Sequence, residues 1–572
     1  MGRAGLVATS LSVVATLVVA AAGPSVMEPV LPGRPGQPPW AFAAHLPPAL
    51  AVALAAAALA LGTLGLGLCL RAAHRGWLVS PRAILCAGII AAAVIALVPP
   101  FGSSDHLSYA AYGRMVVTGH NPYTTTPAML ARLGDPVARA VQDWRGSPSV
   151  YGSLASGGQA LASLVGGTSA RLTVFVLSLL NVAAFAGTGL LLHRLAGGSR
   201  PRQLRAALLW TFNPLLLQVL VVGEHVDSQA IFFGVAAITV FSLGMPPASS
   251  LVAARHRFLI AAAAGGLAGL GAAVKLTMIL VVAGLAVAAV AAWWRRWRWL
   301  AVVGGGLVAG FAAVVGVSLA PWGFASFRPA LRAGSFVSIG SPWRAVRSAL
   351  RLLIGETAAN DLVKVGAIAL AALLLVLLLR ALRVLAVRDG AGDGVGTDVG
   401  VGTGMDLAGL AACGVFAFVF AWLVAWPYVL PWYDPIGWVV LALLPISVPA
   451  DLASAGVAPA GVAPAGVAPA GVAPAGVAPA GVTPVRVTPV RVATVGVATV
   501  GVMAAVPALD WLMLTRTAAL AFGYLPARGI TMPGDLDWLR SVVRTGVTPV
   551  ILLGVTVGLV VLVWRRRGQV PG

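Results

Sequence analysis

The sequence predicts an all-α polytopic membrane protein of about fourteen transmembrane helices. Three observations lead there. Of the 572 residues, 59% are hydrophobic and 10% charged, with a mean hydropathy of +0.94. A soluble domain cannot bury that share of apolar surface. Apolar runs long enough to cross roughly 30 Å of hydrocarbon recur along the chain. The runs are continuous rather than alternating, and backbone crosses lipid only as helices or closed barrels, so helices are expected.

The expected spans are approximately Leu6–Ala22, Ala49–Leu70, Ala83–Val98, Leu172–Leu192, Ala206–Val222, Gln229–Leu243, Phe258–Val274, Leu276–Ala292, Leu300–Leu319, Leu362–Leu379, Leu407–Ala425, Ile436–Pro449, Ala493–Val506 and Val547–Val563. The first is read as an uncleaved helix, since it lacks a convincing signal-peptidase pattern.

The formal net charge of +21 raises the question of nucleic acid, and its distribution answers it. Arg71, Arg75 and Arg82 share one short loop, and Arg194, Arg200, Arg202 and Arg205 another. Arg255 and Arg257, Arg295 to Arg298, Arg380 to Arg388, and Arg565 to Arg567 mark further span ends. Under this span order every cluster falls on one side, as the positive-inside rule requires. Both termini are then cytoplasmic in a multi-pass cell-membrane protein, and no nucleic-acid partner is expected. The tryptophan- and arginine-rich stretch 293–299 is read as an inner-face anchor.

The segments placed outside are 99–171, 223–228, 321–361, 426–435 and 507–546. Cys69, Cys86 and Cys413 fall in or beside apolar spans, so they are read as small buried residues and no disulfide framework is expected. Residues 455–482 repeat GVAPA, and a proline at every fifth position forbids a continuous helix. The organisation expected is a catalytic bundle over 1–450, a cytoplasmic low-complexity linker over 451–492, and a transmembrane pair with an outer loop over 493–572. The Gly-rich tract Gly390–Gly404 lacks the lysine of a phosphate loop and is read as a flexible inner loop.

The outer segments hold most of the polar chemistry. In SSDHLSYAAYGRMVVTGHNPY, residues 103–123, a carboxylate at an apolar boundary is followed by His106, Tyr109, Tyr112, Arg114, Asn121 and Tyr123. Asp105 has the local role of capping a following helix as one reading. If that helix runs over 106–117, Asp105, Tyr109 and Tyr112 fall near one face. Glu224, His225 and Asp227 gather three ionisable groups at an outer helix junction. They are read as a substrate or phosphate contact; one histidine and two carboxylates make a poor metal set, and no metal or cofactor is expected. Lys275 stands between two apolar runs, where it is either functional or snorkels to the interface. Trp432 and Tyr433 are candidates for stacking on sugar, while Trp426 suits an interfacial aromatic belt.

Several motifs together resemble a known family. They are Ser104-Asp105-x-x-Ser108-Tyr109-x-x-Tyr112-Gly113-Arg114, Gly119-x-Asn121-Pro122-Tyr123, Asp143-Trp144-Arg145 and Ser149-Val150-Tyr151-Gly152. Phe212-Asn213-Pro214, Gly223-Glu224-His225-Val226-Asp227, Val274-Lys275-Leu276-Thr277 and Leu430-Pro431-Trp432-Tyr433 continue the series. In this order they resemble the polyprenol-phosphate-mannose-dependent α-1,6-mannosyltransferases of the actinobacterial cell envelope, membrane glycosyltransferases of the GT-C class. Ser153 departs from the pattern, where a proline is expected after Tyr-Gly.

The resemblance implies a GT-C-like bundle that moves mannose, with inversion, from polyprenyl-phosphate-mannose to a mannan or lipomannan-type acceptor. The site is then extracytoplasmic, and membrane lipid is a partner. Such chemistry needs a general base, for which Asp105 is the candidate. It also needs cations for the lipid phosphate, for which Arg114, His225, Lys275, Arg328, Arg332 and Arg344 are candidates by sidedness. Tyr151 joins the candidate substrate contacts. Two alternatives stay open: a lipid or small-molecule transporter or flippase, which should show related halves that are not found here, and a GT-C enzyme for another sugar such as arabinose.

Overall fold

The computed structural model describes residues 1–245, 254–382, 406–444, 506–530 and 532–565. The linker 451–492, the tract 390–404, nearly all of the expected span 493–506 and the end of the span 436–449 lie outside the described residues.

All regular structure among the described residues is helical. The N-terminal helices are α1 (Gly2–Ala22), α2 (Pro48–His74), α3 (Pro81–Ile95), α4 (Asp105–Val117), α5 (Ser153–Gly166), α6 (Ala170–Leu195), α7 (Arg200–Leu209) and α8 (Asp227–Gly244). They continue as α9 (Ala254–Val274), α10 (Ile279–Trp293), α11 (Trp297–Leu319), α12 (Pro342–Ile354), α13 (Glu356–Ala381), α14 (Leu407–Ala425), α15 (Pro435–Leu443), α16 (Val506–Gly523) and α17 (Thr548–Arg565).

Eleven described helical stretches are long and apolar enough to cross a membrane, so the protein is polytopic, with three fewer such stretches than the sequence reading counts. The differences have local causes. α3 has only 15 residues, and α15 has nine. The third, 493–506, is the span outside the described residues; the helix actually seen, α16, starts where that span was expected to end. It occupies the first part of what the sequence reading takes for an outer loop. Asp510 and Arg516 lower its hydropathy, and both are buried. The Asp510 carboxylate accepts from Arg205 (Nη2–Oδ1 2.5 Å) and lies 2.9 Å from His74 Nε2. Asp434 accepts from Arg516 Nε at 3.0 Å and from Thr517 Oγ1 at 2.8 Å. Charge is tolerated on such a helix because each charge meets a partner.

The long helices pack through small residues, as helices do where lipid supplies no hydrophobic drive between them. A Cβ at Gly265 of α9 would stand 2.1 Å from the Leu307 carbonyl of α11. On α2 and α1, a Cβ at Gly65 would stand 2.6 Å from the Thr9 backbone nitrogen. Cys69 and Cys413 are buried as expected; Cys86 is not, because it lies on the outward face of α3.

Two features position the site. The expected Phe258–Ala292 pair is two helices, α9 and α10, broken at Lys275, whose extended backbone (φ −144°, ψ 121°) interrupts the helix. Gly152 caps α5 and donates its N–H to the Val274 carbonyl at 3.0 Å; a Cβ there would meet the Ala273 carbonyl at 2.2 Å. Ser153 is the first helical residue of α5, a position that also suits proline, so its departure from the motif leaves the turn in place.

Candidate active site

Asp105 is the first residue of α4, which begins just beyond α3. Its N–H donates to Ser103 Oγ at 3.2 Å, while the Ser104 hydroxyl donates to Asp143. The helix presents Asp105, Ser108, Tyr109 and Tyr112 to one cavity of about 530 Å³. Tyr123 and Tyr151 follow on the same cavity from the stretch between α4 and α5. Leu430, Trp432 and Tyr433 close it from the turn before α15.

The wall of this cavity is a hydrogen-bonded aromatic set. Tyr109 and Tyr151 join their hydroxyls at 3.1 Å, with ring centroids 5.1 Å apart edge to face. Tyr112 donates to the Ser147 carbonyl at 3.0 Å, and Tyr123 meets Ser156 Oγ at 3.0 Å. Burial raises the Tyr109 and Tyr151 phenols well above the ordinary tyrosine value, so both stay neutral. Such a wall offers apolar ring faces with hydroxyls, which suits a neutral polyol.

Asp105 is raised to about 7, chiefly by burial and next by repulsion from Asp143. The charge of Lys275 and a hydrogen bond from the Trp144 indole oppose the rise. His225 Nδ1 lies 3.7 Å from the Asp105 carboxylate and 3.4 Å from the Tyr109 hydroxyl. Burial holds His225 well below the usual histidine value, so a neutral ring, not a cation, stands beside Asp105. It stacks on Trp432 with centroids 3.9 Å apart and planes 13° from parallel.

Lys275 Nζ donates to Asp227 Oδ1 at 2.6 Å and sits 4.0 Å from the centre of the Tyr433 ring. This pair lies behind the cavity wall rather than on it. Non-glycine residues in the left-handed region are uncommon, and two of the three seen here, Trp144 (φ 60°) and Glu224 (φ 51°), flank the site.

Besides Lys275 and Asp227, four expected contacts lie elsewhere. Arg114 turns away and pairs with Asp135 (Nε–Oδ2 2.7 Å). Asn121 uses its side-chain oxygen to accept the Tyr123 N–H at 2.9 Å, fixing the turn. His106 is fully buried, neither ring nitrogen has a hydrogen-bond partner, and burial lowers it to about 3. Glu224 is fully buried, accepts from Ser178 Oγ at 2.7 Å, and is raised by burial. Residues that sequence reasoning did not single out for the cavity are Trp144, Phe336 and Tyr428; Arg328 and Arg332 stand at its rim. Trp144 lies inside a quoted motif, whereas nothing local marks Phe336. Among the described residues, no three histidine, cysteine or acidic side chains are grouped to hold a metal ion.

The bundle and its buried acid bear comparison with known families. Residues 2–296 match the family model described as alpha-(1→6)-mannopyranosyltransferase, N-terminal domain. The chain belongs to this family. It is a membrane mannosyltransferase, a hexosyltransferase, and the transporter reading gives way to it. No curated protein and no solved structure matches the mannosyltransferase chain. The match takes in Asp105, the tyrosines of α4, His225, Asp227 and Lys275; the Trp432 turn lies beyond it.

Proposed function

We propose that the mannosyltransferase moves mannose from polyprenyl-phosphate-mannose to a hydroxyl of an α-1,6-mannan on a cell-envelope glycolipid, at the outer membrane face, with inversion. One observation carries the reading: a single buried carboxylate, Asp105, raised toward neutrality, on the wall of a cavity of tyrosines and tryptophans. In the reaction the acceptor oxygen attacks the anomeric carbon, and the bond from that carbon to the phosphate oxygen breaks. The electron pair leaves with the phosphate, and the acceptor's proton passes to Asp105. The sugar passes through an oxocarbenium-like state, as in glycoside hydrolysis. Tyr109 and Tyr151 orient the sugar hydroxyls, Trp432 and Tyr433 offer ring faces, and the Lys275–Asp227 pair holds Tyr433 from behind. The arginine clusters at the span ends 71–82, 194–205, 255–257, 295–298, 380–388 and 565–567, which share one side under the sequence-derived span order, support an outer location for Asp105.

The test is extension of a short α-1,6-mannan by membranes carrying the protein. Polyprenyl-phosphate-mannose should be consumed and the acceptor lengthened; turnover only with polyprenyl-phosphate-arabinose would contradict the sugar assignment. The base must be ionised to act. Because Asp105 is raised to about 7, kcat/KM should fall about tenfold per pH unit below that value and level off above it. A rate flat between about pH 5 and 8, a range that brackets that value, would argue against a base with this environment.

A further inference from the structure

A second cavity, of about 590 Å³, lies on the other side of Asp105. Asp105, Trp144, Leu430 and Trp432 line both cavities and form the partition between them. The second cavity is built mainly from the C-terminal stretch 524–545, which lies beyond the family match, and from 339–344.

Its chemistry differs from that of the first. Four guanidiniums, Arg344, Arg528, Arg540 and Arg544, line it. Arg528 and Arg544 are 5% and 8% exposed. Among the described residues, none of the four lies within ion-pair distance of a carboxylate. Their partners are neutral. Arg528 donates to the Ser25 and Val26 carbonyls and to Gln142 (Nη2–Oε1 2.5 Å). Arg544 donates to the Gly523 and Pro526 carbonyls and lies over the Tyr524 ring. Arg540 donates to the Arg528 carbonyl, and the Nε groups of Arg528 and Arg540 are buried without a partner. Asp105, Asp143 and Asp537 also line the cavity, and the charges of Asp143 and Glu28 act on Arg528. None of them pairs with a guanidinium, so the wall keeps more arginines than carboxylates and unpartnered N–H donors, which suit an anion. In the first cavity the two arginines stand exposed at the rim, and the deep wall is neutral phenol.

We propose that the second cavity is a lipid-phosphate site: it holds the phosphate of the polyprenyl-linked donor and of the polyprenyl phosphate released from it, leaving the aromatic cavity to the glycan acceptor. The inference rests on the reaction proposed above and deepens it. Inverting displacement needs the nucleophile and the leaving group on opposite sides of the anomeric carbon. Two cavities that meet at Asp105 supply that arrangement, with the base facing the acceptor. Forked guanidiniums match phosphate geometry and stabilise the charge that develops as the bond breaks.

The experiment measures binding of polyprenyl phosphate, polyprenol and inorganic phosphate to the full chain in detergent micelles, read by quenching of tryptophan emission. Arg344 is exposed and Arg540 half-buried, so the R344Q/R540Q variant removes charge with little demand on the fold; R344Q alone serves where the pair fails to fold. Polyprenyl phosphate should bind the wild type more tightly than polyprenol or inorganic phosphate, and R344Q/R540Q should weaken it about tenfold or more, the worth of a charged hydrogen bond. The donor KM should rise with it while the acceptor KM holds. Wild-type affinity in R344Q/R540Q, or a greater loss in R328Q/R332Q, would overturn the site. Inorganic phosphate binding as tightly as the lipid would overturn its lipid character. D105N should bind polyprenyl phosphate at least as tightly as the wild type while losing transfer; wild-type protein that binds the lipid phosphate but transfers no mannose counts against the reaction, and lost discrimination among the arginine variants counts against the site.

Discussion

Asp105→Asn is expected to remove at least about 10²–10⁴-fold of mannosyl transfer, the usual contribution of a positioned general base, while leaving the protein folded. The substitution keeps the shape of the side chain and its place at the head of α4. It removes only the ability to take a proton. Burial is no obstacle to the neutral amide, since the fold already raises the carboxyl to about 7. The loss should fall on kcat rather than on either KM, because the partition between the two cavities is unchanged. The readout is initial-rate transfer in membranes matched for folded protein. Activity within a few-fold of wild type would remove Asp105 from the chemistry.

Lys275→Met is expected to damage stability and rate together, for separable reasons. The lysine is the partner of Asp227, and its side chain is only 12% exposed. Removing one member of a buried pair strands the other charge and costs about 3–5 kcal/mol, seen as a lower unfolding temperature in detergent. Pairing the change with Asp227→Leu should recover much of that loss. The rate effect has another origin. Lys275 pulls the Asp105 value down against burial and Asp143. Without it Asp105 holds its proton to higher pH, so the acidic limb of the rate profile should move upward in both the single and the double variant. An unmoved limb would reduce Lys275 to a structural role.

What the sequence made legible follows the physics of each feature. Long apolar runs need no context, so most spans are readable, including the break at Lys275. α16 escaped because Asp510 and Arg516 look like loop residues until Arg205, His74 and Asp434 are seen to meet them, and those partners lie far away in sequence. The stretch beginning at Asp105 was readable because helical spacing alone brings Asp105, Tyr109 and Tyr112 to one face. Sidedness cannot say which way a residue faces. Arg114 is on the same helix, yet it pairs with Asp135. His106 adjoins Asp105 in sequence and points into the core. Of the second cavity's arginines, Arg344 was a candidate by sidedness, and the other three were hidden for the opposite reason: Arg528 stands at the end of a long separation from Ser25 and Gln142, and no local pattern announces that Tyr524–Thr545 returns to Asp105.

The most direct test of the central claim, that Asp105 acts as a base in a single displacement, is the anomeric configuration of the first mannose transferred. Donor carrying ¹³C at the anomeric carbon, one turnover and an NMR spectrum of the product are enough. The product should have the configuration opposite to the donor's, with no sugar bound to the protein. Retained configuration, or a mannosyl group trapped on Asp105, would make that carboxylate a nucleophile and contradict it.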